Sequence, residues 1–139
     1  MWSKSYSKTV SGVDASRVWN VWTDVNQWHR WQPDVEQARM QGAFAVGNTF
    51  TLKPKGGPTV KIELVAVEPN RRFTDLTRFP GARMYGDHEF VSHGSALEIR
   101  TTMRIEGPLA FVWRKIVAEG IVKGMPEQTD QLVARSHVV

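Results

Sequence analysis

The chain has 139 residues, 41% hydrophobic and 23% charged, which is the length and balance of one globular domain spanning 1–139 and excludes a disordered chain. It has no cysteine, so disulfides, thiolate metal sites and cysteine nucleophiles are out, in keeping with a reducing, cytoplasmic setting. Its formal net charge of +4 comes from scattered Lys and Arg, a solvated surface rather than a nucleic-acid footprint.

Tyr6 to Val10 reads as a first strand. Asp14 is placed to cap a helix from Ala15 to about Trp22, its carboxylate accepting from the free N–H groups of the first turn. Asp24 is placed to cap a second, short helix that Pro33 closes. Four of the six tryptophans lie between Trp19 and Trp31, beside Val18, Val21 and Val25, and need a large apolar surface to bury them. Trp19, Trp22 and Trp28 read as core, with Trp31 plugging one end of a sheet.

From Val35 the hydrophobic period falls to two. Extended segments are expected near 34–41, 47–54, 59–68, 71–79, 82–92 and 95–106, punctuated by Gly-, Pro- and Asn-rich turns at strand intervals. Short loops between successive strands predict an antiparallel meander. Gly107-Pro108 should open a final helix with proline at its first position. An apolar stripe of Leu109, Val112, Trp113, Ile116, Gly120, Met125, Leu132 and Val133 should face the sheet. Pro126 predicts a kink or break near Gly124-Met125. Gly120 and Gly124 each cost roughly 1 kcal/mol relative to Ala. They leave room for a ligand or permit close helix–sheet packing.

Asp24, Trp28, Trp31 and Pro33 form an Asp-x-x-x-aromatic-x-x-Trp-x-Pro pattern after a first strand and before a run of strands. This order resembles the polyketide cyclase/dehydrase-like members of the START-like (SRPBCC) superfamily, to which the birch-pollen allergens are also similar. The resemblance implies an α+β helix-grip fold: a curved antiparallel sheet of about seven strands around a long C-terminal helix. It also implies an apolar small molecule held between the two. A single meander with one long final helix packs economically in the same way.

Alternation supplies an inward list. Phe73, Asp75, Thr77 and Phe79 should share the concave face with Met84, Gly86, His88 and Phe90, and with Leu97, Ile99, Thr101, Met103 and Ile105. Two-residue loops at Pro80-Gly81 and His93-Gly94 pair Phe73 with His88, Asp75 with Gly86, His88 with Ile99 and Phe90 with Leu97. Asp75 and His88 then become diagonal neighbours in an apolar surround, with space opposite Asp75 at Gly86. They are the candidates to orient a ligand or assist acid–base chemistry at an enolisable carbonyl, or else a mutually satisfied buried pair. The expected wall is Phe73, Asp75, Thr77, Met84, His88, Phe90, Ile99, Thr101 and Met103, with Trp113, Ile116 and Gly120 from the helix. Met84, Met103 and Met125 suit a wall that adapts to varied shapes.

The sequence carries no zinc-protease, nucleophile-elbow or phosphate-loop motif, and His29, His88, His93 and His137 fall in separate elements. No cofactor or metal is called for. The expected partner is a small hydrophobic ligand, with no nucleic acid and no integral membrane association, in a monomer or weak homodimer. Three rival functions stand beside ligand binding. One is a polyketide cyclase or dehydratase using Asp75 and His88, and another is a protein–protein module of the same fold. The third, membrane or nucleic-acid association through the positive charge, predicts binding that falls steeply with salt.

Overall fold

Antiparallel pairing runs unbroken through seven strands in the order β1-β7-β6-β5-β4-β3-β2. The computed structural model describes residues 2–136, so His137 lies outside the described residues. The strands are β1 Trp2–Ser11, β2 Val35–Met40, β3 Thr49–Pro54, β4 Val60–Glu68, β5 Arg72–Phe79, β6 Ala82–His93 and β7 Ala96–Glu106. Between β1 and β2 lie α1 (Ala15–Thr23) and a 3-10 helix, Val25–Arg30. After β7 come α2 (Ala110–Trp113), a π-helical turn (Arg114–Ala118) and α3 (Glu119–Ser136). The result is an α+β, helix-grip-like arrangement, with β1 returning to pair along the whole of β7 from Trp2↔Ile105 to Ser11↔Ala96.

Local chemistry sets most boundaries. Asp14 caps α1, its Oδ1 accepting from the Ser16 N–H at 2.9 Å. Asp24 behaves differently: its side chain makes no capping bond, and its backbone carbonyl accepts from the Gln27 N–H at 3.0 Å instead. The final helix starts later than Pro108 suggested. Gly107 takes φ 117°, and the Leu109 N–H donates to the Gly81 carbonyl at 2.9 Å, so helical geometry begins only at Ala110.

The β5–β6 register has the expected Phe73↔His88 and Asp75↔Gly86 pairs. The β6–β7 register is two residues away from expectation: His88 opposes Thr101 and Phe90 opposes Ile99. The turn there is Gly94-Ser95 rather than His93-Gly94, with Gly94 at φ 64° in the first central position that a primed hairpin turn reserves for glycine. A slip of two preserves facing, so the inward set stands. Strand β5 is buried on both sides, however. On the outer face the Thr74 hydroxyl donates to Asp87 Oδ1 at 2.8 Å, and Arg104 Nε donates to Asp87 Oδ2 at 2.9 Å.

Pro126 does not end the final helix. Helix α3 continues through it to Ser136, and the irregularity sits earlier, at the π turn, where the Glu119 N–H reaches back to the Arg114 carbonyl. The core divides into two apolar groups. The larger joins Trp19, Trp22, Trp28 and Trp31 to Phe50, Phe73, Phe90 and Leu132; the smaller joins Met84, Met103 and Ile105 to Ala118 and Met125. Among the described residues no helix is long and apolar enough to cross a membrane.

Candidate functional site

Strands β5 and β6 bring Asp75 and His88 together across their shared ladder. His88 Nε2 lies 3.1 Å from Asp75 Oδ2, while His88 Nδ1 is buried without a hydrogen-bond partner. Asp75 is the only carboxylate that alternation sends to the inner faces of β5, β6 and β7, and its side chain keeps 17% of its surface open. In the neutral tautomer whose Nε2–H donates to Asp75, Nδ1 keeps an unused lone pair. The pair is therefore half satisfied. The space left by Gly86 is taken up by the pair itself, since a Cβ there would stand 2.8 Å from Asp75 Oδ1.

The tryptophans of α1 cover one end of this face. The His88 ring stacks on Phe73 at 4.5 Å between centroids and meets the Trp22 ring edge-on at 4.7 Å. Trp22 also lies 5.4 Å from Phe90, and Trp19 6.0 Å from Phe73. Phe73 and Phe90 thus form packed core behind Trp22. Farther along the same face, Thr77, Met84, Ile99, Thr101 and Met103 are all buried and inward, as alternation required. Thr129 of α3 adds a buried hydroxyl that the sequence reading passed over.

The helix contributes differently from expectation. Ile116 is 66% exposed and Gly120 is exposed, with nothing within 4 Å of a Cβ built on it, so neither faces the sheet. Leu109 is also exposed. The cause is the π turn, which makes Trp113 and Ala118, five apart, share the packed side. After that step the buried face runs Ala118, Met125, Thr129, Leu132 and Ser136. Trp113 is half-buried over the tip of the β5–β6 hairpin; its ring stacks on Phe79 at 4.5 Å and its Nε1 donates to the Pro80 carbonyl at 2.8 Å. Gly124 sits close to another element: a Cβ there would be 3.1 Å from Asp34 Oδ2. One turn on, Gln128 Nε2 donates to Gln32 Oε1 at 2.8 Å.

Two open hollows lie away from Asp75 and His88. One, of about 360 Å³, is at the β5–β6 hairpin and the Gly107-Pro108 turn. The other, of about 420 Å³, lies across β3, β4 and β5 beside Thr49, Val60, Leu76 and Thr77. His29 is exposed, and His93 pairs with Glu98 at 2.9 Å. Among the described residues no cluster of three His, Asp or Glu side chains is placed to hold a metal ion.

Comparison with known proteins agrees with this fold. A family described as polyketide cyclase / dehydrase and lipid transport matches residues 1–137. No curated protein sequence matches the chain. A hypothetical protein from Helicobacter pylori superimposes with a TM-score of 0.79 at 18% identity, over 98% of this chain and 88% of that one. A START superfamily protein from Mycobacterium smegmatis gives 0.72 at 11% identity, over 96% and 97% of the two chains. Norcoclaurine synthase from Thalictrum flavum gives 0.73 at 15% identity, over 96% and 84%. At such identities the likeness is one of fold.

Proposed function

The chain belongs to the polyketide cyclase / dehydrase and lipid transport family, and within it we propose that this protein binds a small, largely apolar, lipid- or ring-like molecule between its sheet and C-terminal helix. The observation that carries the reading is the half-satisfied pair: a buried imidazole with an unpartnered Nδ1, held by Asp75 on a face that is otherwise apolar except for the Thr77 and Thr101 hydroxyls. A buried polar atom without a partner costs about 1–3 kcal/mol, and a ligand hydroxyl donating to Nδ1 would recover it. Apolar walls with one or two convergent polar groups are the usual make-up of a small-molecule site. Trp22 covers the Phe73 end, so the ligand would lie toward Asp75, Thr77, Met84, Thr101 and Met103, with α3 moving outward to admit it.

The test is a titration with sterols, fatty acids, flavonoids and polyketide-like aromatics, followed by amide chemical shifts and by fluorescence of the tryptophans. Shifts should cluster at Asp75, Met84, His88, Thr101 and Met103, and Trp22 emission should change with them. Shifts confined to surface loops, or no saturable response to any compound class, would overturn the reading.

The free Nδ1 also favours a second reading, a cyclase or dehydratase. Nδ1 would take the proton from a carbon flanked by two carbonyls while Asp75 stabilises the resulting imidazolium. Turnover of a poly-β-ketone substrate that survives His88→Ala unchanged would remove this role.

A further inference from the structure

We propose that the first turns of the C-terminal helix are a lipid-surface contact, with Phe111 and Ile116 entering the headgroup–acyl boundary of an anionic bilayer. Phe111 is 62% exposed and Ile116 66%, with Leu109 at 43% and Ile121 at 38% beside them. The three helical side chains lie five residues apart, with the π turn between the first and the last. The widened turn keeps Trp113 and Ala118 on the sheet and leaves Phe111 and Ile116 pointing away from it. These side chains therefore do not serve the interior.

Charge selects the occupant. Lys115 and Lys123 are exposed on the same stretch, and Arg114 precedes Lys115, against one carboxylate, Glu119. A chain of net charge +4 adds a long-range attraction to anionic lipid. Apolar tips with basic side chains alongside are the pattern of a helix lying in a membrane interface. A second copy of the chain fits less well, because four partly exposed side chains fall far short of the roughly 800 Å² per partner that a stable interface buries. The contact deepens the ligand reading, since an apolar cargo is drawn from or delivered to a membrane, yet it is measured without any ligand.

The experiment is co-sedimentation of the full chain with vesicles of phosphatidylcholine alone and of phosphatidylcholine with phosphatidylserine. Binding should favour the anionic vesicles and weaken with added salt. Phe111→Ser with Ile116→Ser should lower partitioning about tenfold or more. Lys115→Gln with Lys123→Gln should reduce binding to the anionic vesicles only. Unchanged melting temperatures show that each variant is folded. Wild-type protein that stays in the supernatant, or equal partitioning of the serine variant, overturns the proposal. So does a concentration-dependent dimer that the serine variant loses while vesicle binding is absent. If vesicles bind but no apolar compound shifts the Asp75 and His88 resonances, the ligand reading fails alone.

Discussion

Gly86 faces Asp75 across the β5–β6 ladder, and its bare backbone is what lets the carboxylate meet His88. A Cβ at that position would stand 2.8 Å from Asp75 Oδ1 and 3.1 Å from His88 Nε2. Gly86→Ala should therefore push the pair apart and destabilise the fold by about 1–3 kcal/mol, combining overpacking with a buried polar group left unpaired. Urea denaturation measures the loss, and the His88 ring resonances report the separation. Unaltered stability together with unaltered resonances would show that the pair has room to spare.

Trp22 is the side chain on which the aromatic end of the core turns. It is 2% exposed and its ring lies 5.3 Å from Phe73, 4.7 Å from His88 and 5.4 Å from Phe90. Trp22→Ala should cost about 3–5 kcal/mol. Trp113→Ala should cost less, because Trp113 is half-buried and packs chiefly on Phe79. Equal losses in the two variants would contradict this ranking.

Acid should weaken the protein through two hydrogen-bonded carboxylates. The Ser16 backbone and side-chain hydrogen bonds hold Asp14 below the ordinary carboxylate range, and hydrogen bonds from His93 and then Arg100 do the same for Glu98. Both groups have depressed folded values, so their stabilisation is complete above the unfolded values near about pH 4 and is lost as pH falls through the lower folded values. A series of melts below pH 5 on the wild type and on Asp14→Asn/Glu98→Gln measures the difference. The double variant should show the shallower acid decline; parallel curves would remove both carboxylates from the effect.

The strands were legible because period two and glycine turns are local signals. Every extended segment appears within a few residues, and Asp75 meets Gly86 as loop length at Pro80-Gly81 dictated. The Gly94-Ser95 turn was legible too: a primed turn takes glycine at its first central position, which Gly94-Ser95 supplies and His93-Gly94 does not. The helix, by contrast, departs from its sequence pattern. A π turn leaves no mark in residue type, so Ile116 and Gly120 continue an α-helical stripe on paper and leave it in space. The five-residue spacing of Trp113 and Ala118 was the available hint. Trp22 against His88 was equally hidden, because the angle at which α1 crosses the sheet is set by packing of the whole aromatic group.

Pro126 sits inside α3 without breaking it, and the cost of that placement is open to measurement. Proline cannot donate to the Val122 carbonyl, and its ring crowds that carbonyl, an interior penalty of about 3 kcal/mol. Part of this is offset by the smaller entropy of the unfolded chain, about 0.4–1 kcal/mol. Pro126→Ala should therefore stabilise the protein by about 2 kcal/mol and raise the melting temperature by roughly 4–8 °C, at about 2–4 °C per kcal/mol for a domain of this size. Its neighbour Met125 is 1% exposed, and Thr129 one turn on is 3% exposed. If the proline instead bends α3 so that these two side chains seat against the sheet, straightening the helix would unseat them. The melting temperature would then hold or fall, and Pro126 would have to be read as part of the packing that seats Met125 against Met84 and Met103.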